Sequence, residues 1–104
     1  MTGWAWLLIA SIAEVAWSQS IKPTEGFTRP LPTVLCFALA VAAVYPLTLA
    51  MQTIPVGTAY AVFTGIGATG AVVLGIVIYG DPLTALRLVG ITLVVTGVLI
   101  LRTS

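Results

Sequence analysis

Long apolar runs, separated by short segments with polar residues, proline or glycine, make up most of the sequence. A helix needs about 20 mostly apolar residues to cross the hydrocarbon core of a bilayer. Four runs qualify, and they predict transmembrane helices at about residues 4–21, 31–51, 57–79 and 84–101. We therefore expect an all-α membrane protein in which residues 1–104 form a single four-helix transmembrane domain.

The composition supports membrane residence and excludes several functions. Only 7% of the 104 residues are charged and none is histidine, whereas about a quarter of a soluble domain is charged. Nothing in the sequence resembles a nucleophile–base pair or a nucleotide-binding loop, so we expect no enzyme and no cofactor. There is no basic patch for nucleic acid. Cys36 is the only cysteine, which excludes an intrachain disulfide and a thiol metal cluster; we interpret it as a packing residue.

The charges near the ends of the predicted helices give a weak orientation signal. Lys22, Arg29 and Arg87 fall on one side of the membrane and Arg102 on the other. Excess lysine and arginine normally marks the cytoplasmic side. Because this bias is small, the sequence is compatible with insertion in both orientations.

Glu14 is the one charge in the middle of a predicted span. A carboxylate at bilayer depth costs about 2.5–3.5 kcal/mol on insertion scales, and such acids mark proton or ion pathways by default. No basic side chain in any span is available to neutralise it. Its counter-charge is therefore expected to be a proton or an external cation, which predicts protons and a small cation as ligands.

Residues three and four positions apart share a helix face, and this places hydroxyls and an aromatic ring beside Glu14. Trp17 offers the cation–π contact that a cationic ligand favours. The stripe consists of Leu7, Ala10, Ser11, Glu14, Trp17, Ser18 and Ile21. We take Glu14, Trp17, Ser11 and Ser18 as candidate substrate- or proton-binding residues.

The third predicted helix adds two candidates and a possible bend. Tyr60 and Phe63 lie one turn apart, and the Tyr60 phenol is interpreted as a hydrogen-bond partner of the acid or its ligand. Gly65 and Gly67 flank Ile66, and this step is expected to let the helix bend. Small residues also let neighbouring helices approach closely.

The fourth predicted helix carries Gly90 and Gly97 on one face, seven positions apart. Such spacing is typical of a helix–helix seam. Four spans around a single acid form a thin enclosure, so we expect a dimer that brings two Glu14 residues together.

Several segments together resemble the small multidrug resistance family over essentially the whole chain. They are Ala-Glu-Val-Ala-Trp at 13–17, the loop at 25–29, Ile-Pro-Val-Gly-Thr-Ala-Tyr-Ala at 54–61, and the Gly90/Gly97 pair. The resemblance implies an antiparallel dimer of four-helix subunits in the bacterial inner membrane. In this dimer protons would exchange for a cationic substrate at two Glu14 carboxylates.

Within that family, Trp17 and the segment 64–71 look like the guanidinium-exporter subtype. By the same match, Trp17 lines the pocket and Tyr60 hydrogen-bonds near the acid. The subtype usually has glycine in place of Ser11, serine in place of Ala43 and tryptophan in place of Phe63. These differences suggest either a substituted guanidinium such as guanylurea as substrate, or a sibling subunit that supplies the missing serine.

Two other readings are compatible with the residues. In the first, Ala43 and Phe63 enlarge and dry the pocket, and the protein is a broad exporter of hydrophobic quaternary ammonium cations. In the second, the chain is a non-transporting membrane subunit in which Glu14 relays protons or stabilises an assembly. Proton-relaying rotor subunits are typically helical hairpins, and four predicted spans argue against that alternative.

Overall fold

A computed structural model describes residues 2–103, and over this range the chain is helical with no strand, which confirms the all-α prediction. Four α-helices follow one another, with a single 3₁₀ turn between the first two. Their bounds are α1 (Gly3–Ser20), the 3₁₀ turn Lys22–Thr24, α2 (Pro30–Ala50), α3 (Val56–Tyr79) and α4 (Ala85–Thr103).

The helices differ in how apolar they are. By length and composition, α2, α3 and α4 can each cross a membrane. The first helix has 18 residues, about 27 Å at 1.5 Å per residue, but its mean hydropathy is lower than that of the other three. Its polarity comes from Glu14 and from Ser18, Gln19 and Ser20 at its C-terminal end.

Local chemistry explains where the helices begin and end. The Thr2 hydroxyl caps α1 by accepting the amide of Ala5 at 3.2 Å, so the helix begins one residue before the predicted Trp4. α2 begins at Pro30, because a first helical residue needs no amide donor. α3 ends where Gly80 takes a left-handed conformation with φ of 68°.

The connection between α1 and α2 is folded against the bundle. The buried Thr24 hydroxyl donates to the Ile21 carbonyl at 2.6 Å and accepts the Phe27 amide at 3.3 Å. The Phe27 ring stacks on Phe37 of α2 with ring centroids 5.8 Å apart. These contacts fix the angle at which α2 leaves the end of α1.

The four helices form a flat layer. α1 packs extensively against α2 and α3, whereas the α4 backbone approaches only α3, so the order across the layer is α2, α1, α3, α4. The molecule measures 41 × 34 × 18 Å. Its smallest dimension is less than two helix diameters of about 10–12 Å each. One chain therefore does not enclose a central chamber.

The buried core lies between α1, α2 and α3, near the connection from α2 to α3. No α4 residue that the structure describes is buried. The apolar core consists of Leu7, Ala10, Ala43, Leu47, Ala50, Ile54, Ala59, Val62 and Phe63. Cys36 is buried separately in α2.

Two cation–π contacts show which ends of the helices share a side. Lys22 Nζ lies 4.5 Å from the Tyr79 ring centroid, and Arg102 Cζ lies 5.9 Å from the Trp4 ring centroid. Arg87 and Arg102 lie in the first and last turns of α4. Within residues 2–103 neither forms an ion pair with Glu14.

Candidate functional site

Glu14 lies in the C-terminal half of α1 and is half-buried. Along the helix axis it lies about 16 Å from Gly3 and about 9 Å from Ser20, at a rise of 1.5 Å per residue. Among the described residues, none forms a hydrogen bond or ion pair with its carboxylate. The acid is thus set within a helix of the bundle and is uncompensated inside one chain.

The predicted stripe on α1 runs from the core to an open surface. Its first three residues are buried, the next three are half-buried, and the last is exposed. In order they are Leu7, Ala10, Ser11, Glu14, Trp17, Ser18 and Ile21. Glu14 therefore lies at the edge of the core, with Trp17 beside it on the more open side.

The helices that pack against α1 bring no fixed charge to the site. α2 and α3 contain no Asp, Glu, Lys or Arg. Their titratable side chains are Cys36, Tyr45, Tyr60 and Tyr79. A proton or a bound cation is therefore the counter-charge that this surrounding permits for Glu14.

Gly67 of α3 lies directly against the Glu14 side chain. A Cβ atom added to Gly67 would lie 2.5 Å from Glu14 Cγ, 3.5 Å from its Cβ and 3.7 Å from its Cδ. Gly67 itself is buried. The absence of a side chain at this position leaves the space that the Glu14 side chain fills.

The two serines of the predicted site use their hydroxyls on α1 itself. The buried Ser11 hydroxyl donates to the Leu7 carbonyl at 2.7 Å, and the Ser18 hydroxyl donates to the Val15 carbonyl at 2.6 Å. The Gln19 amide also donates to Ser18 Oγ at 3.2 Å. Neither hydroxyl bonds to Glu14, and a direct role in ligand binding stays a prediction for both.

Tyr60 and Phe63 form a ring pair with different surroundings. Their centroids are 6.2 Å apart, but Tyr60 is 55% exposed whereas Phe63 is 4% exposed in the core that also contains Ala43. Within residues 2–103 the Tyr60 hydroxyl makes no hydrogen bond, so the predicted bond to Glu14 is not formed in one chain. The phenol is available to a ligand or a second subunit.

The remaining predicted glycines fall into two groups. Gly65 packs closely against Val98 of α4, and α3 continues as a helix through both Gly65 and Gly67; a bend there stays a prediction. Gly90 and Gly97 of α4 have open space around the position of an added Cβ. Their face is therefore unoccupied within one chain.

An apolar groove of about 670 Å³ lies between α1, α3 and α4, apart from the acid. Trp4, Val15, Val98 and Arg102 are among its lining residues, and Glu14 is not. The described residues contain no cluster of three or more His, Cys, Asp or Glu that could hold a metal ion. The Glu14 carboxylate thus lies outside the lining of this groove.

Sequence reasoning did not identify the contact between Gly67 and Glu14, because it interpreted Gly67 only as permitting a bend and a close approach of helices. A small residue signals close helix approach. Which side chain fills the space depends on how α3 lies against α1, and a single sequence does not contain that information.

Comparison with known proteins identifies the family of the chain. The chain matches the family described as Small Multidrug Resistance protein over residues 2–94. A guanidinium exporter of Citrobacter freundii is 45% identical over 101 residues, covering 97% of this chain and 96% of the relative. Guanidinium exporters of Salmonella typhi and Escherichia coli K12 are 43% identical over the same length and the same shares of both chains. The chain therefore belongs to the small multidrug resistance family and is a multi-pass membrane protein.

Proposed function

We propose that this chain is a subunit of a proton-coupled antiporter that exports guanidinium or a substituted guanidinium such as guanylurea from the bacterial cell across its inner membrane. The observation that carries the proposal is Glu14, a half-buried acid in a membrane protein with no partner among the described residues. The relatives named guanidinium exporters support the substrate class.

The chemistry of guanidinium suits a carboxylate site. Its planar donors form paired, charge-assisted hydrogen bonds with carboxylates, which the compact ammonium group cannot copy. Trp17 is half-buried one helical turn from Glu14 and offers a ring face to the bound cation. The Tyr60 hydroxyl makes no hydrogen bond within the described residues, so it can accept a hydrogen bond from the same ligand.

Proton coupling follows from competition for one counter-charge. When protons occupy the carboxyls, the substrate cation has no negative partner and leaves; when the cation binds, the protons leave. Two such acids in a dimer titrate as a coupled pair, so the two observed steps of proton release belong to the pair and not to either residue. Exchange results if the dimer opens to only one side of the membrane at a time.

The proposed assembly is an antiparallel dimer, in which residues 1–104 act as one four-helix domain in each subunit. The flat layer of helices, the absence of buried α4 residues in the described part and the open Gly90/Gly97 face support pairing. The small charge bias between the two sides is compatible with insertion in both orientations. The partner is a second copy or a sibling family member.

Transport by purified protein in liposomes tests this proposal. With an imposed proton gradient, the chain alone or mixed with candidate siblings should accumulate guanidinium or guanylurea. Glu14→Gln should abolish accumulation, and Glu25→Gln, which removes an exposed loop carboxylate, should preserve it. Proton-driven accumulation by the Glu14→Gln protein would exclude the mechanism.

A second candidate is export of hydrophobic quaternary ammonium cations. Ala43 and Phe63 lie together in the apolar core near the Glu14 stripe, where the guanidinium subtype usually has serine and tryptophan. Competition between guanidinium and a quaternary ammonium dye for the purified protein distinguishes the two substrates. No pH-dependent binding of either cation would instead favour a non-transporting membrane subunit.

A further inference from the structure

We propose that Gly67 is a positioning residue that sets the direction of the Glu14 carboxylate. The inference deepens the proposed function and rests on it, because it concerns how the exchanging acid is held. Position 67 would act by having no side chain: the α3 backbone there supports the Cβ–Cγ part of Glu14 and leaves the carboxylate free for its ligand.

The contact involves the middle of the Glu14 side chain and not its end. An added Cβ at Gly67 would lie 2.5 Å from Glu14 Cγ, well inside the 3.0 Å that real Cβ contacts essentially never cross. A free end can swing aside at little cost, but Cγ is bonded on both sides. To relieve the collision, Glu14 must change rotamer, and this carries the carboxylate away, or α1 and α3 must separate.

Other anchors for the acid are lacking in the described chain. Its carboxylate has no hydrogen bond or ion pair within residues 2–103. α2 and α3, which pack against α1, carry no charged residue, and their titratable groups are one cysteine and three tyrosines. Packing therefore decides where the carboxylate points, and the Gly67 backbone lies against the Cβ–Cγ part of the Glu14 side chain.

Gly70 provides a matched control on the same interface. It lies one turn further along α3, and an added Cβ would collide with the Val15 side chain of α1 in the same way. Gly67→Ala and Gly70→Ala thus add the same methyl group between the same two helices. In Gly67→Ala the new methyl group meets Glu14, whereas in Gly70→Ala it meets the apolar side chain of Val15.

The functional test measures guanidinium binding and guanidinium-triggered proton release across a pH series for wild type and both variants. Gly67→Ala should weaken guanidinium binding by at least about tenfold and shift the pH midpoint of proton release, since small misplacements of a reacting group are costly. Gly70→Ala should leave the midpoint in place. Equal effects of the two variants, or an unchanged Gly67→Ala protein, would overturn the inference.

A double-mutant cycle of unfolding free energies tests the inference even if Gly67→Ala folds poorly. The loss of unfolding free energy caused by Gly67→Ala should largely disappear in a Glu14→Ala background, where Cγ is gone. The loss caused by Gly70→Ala should persist there and disappear with Val15→Ala instead. An undiminished loss in the Glu14→Ala background would show that Gly67 does not act through Glu14.

The two proposals fail separately. Wild-type protein that binds guanidinium without releasing protons would exclude the proposed exchange, whatever the variants do. Wild-type protein that releases protons, with Gly67→Ala indistinguishable from Gly70→Ala, would exclude only the positioning role.

Discussion

Gly65 of α3 lies against the Val98 side chain of α4 so closely that a methyl group on Gly65 would collide with it. This contact matters because α3 is the only helix that the α4 backbone approaches in the described chain; the one contact of α4 with α1 described above is that of the Arg102 side chain with Trp4. In a membrane, helices associate through close packing and not through the exclusion of water, and glycine is the residue that permits the closest approach.

Gly65→Ala should therefore loosen α4. We expect a loss of about 1–3 kcal/mol in the free energy of unfolding in detergent, the usual cost of overpacking. The double variant Gly65→Ala/Val98→Ala should recover most of it, because the colliding methyl groups of Val98 are removed. Full stability of the single variant would show that α4 does not depend on this contact.

Tyr60 is expected to contribute to ligand binding without supporting the fold. It is 55% exposed, and its hydroxyl has no hydrogen bond within residues 2–103. Tyr60→Phe should weaken guanidinium binding by about tenfold, the value of one hydrogen bond to a charged group, and leave unfolding unchanged. Titration calorimetry measures the first effect; unaltered affinity would remove Tyr60 from the site.

Phe63 should behave in the opposite way, because it is 4% exposed in the apolar core. Truncation by Phe63→Ala should cost about 3–5 kcal/mol of unfolding free energy, through lost contacts and the cavity left behind. Chemical unfolding in mixed micelles gives this value. A cost below about 1 kcal/mol would place the ring on a surface instead, where it would face the ligand.

The Gly90/Gly97 face should be needed for pairing and not for folding of the subunit. Neither glycine has a neighbour near its added Cβ, so Gly90→Leu and Gly97→Leu should leave the protomer folded but reduce the dimer fraction. Gly57→Leu is the control, because Gly57 is equally open and lies on α3. Mass measurement in detergent reports the outcome; a dimer that tolerates both α4 variants would place the seam elsewhere.

The sequence predicted the helical architecture well because the signals are local and strong. Continuous apolar runs, and the short segments with polar residues, proline or glycine that separate them, each act within a few residues. The lower mean hydropathy of α1 has an equally local reason: Glu14 and a polar C-terminal end lie within it.

The candidate site was predictable only in part. Glu14 stands out from composition alone, and helical spacing places Trp17 beside it. Other features depend on side-chain rotamers and on how the helices lie against one another. They are the hydrogen bonds of Ser11 and Ser18 to their own helix and the fit of Glu14 against Gly67. Periodicity within one helix does not determine these relationships.

Proton release on addition of guanidinium to purified, weakly buffered protein tests the central claim most directly. The wild-type chain and Glu25→Gln should release protons as guanidinium binds, and Glu14→Gln should release none. Undiminished release from Glu14→Gln, or guanidinium binding by wild type with no release at all, would contradict exchange at this acid.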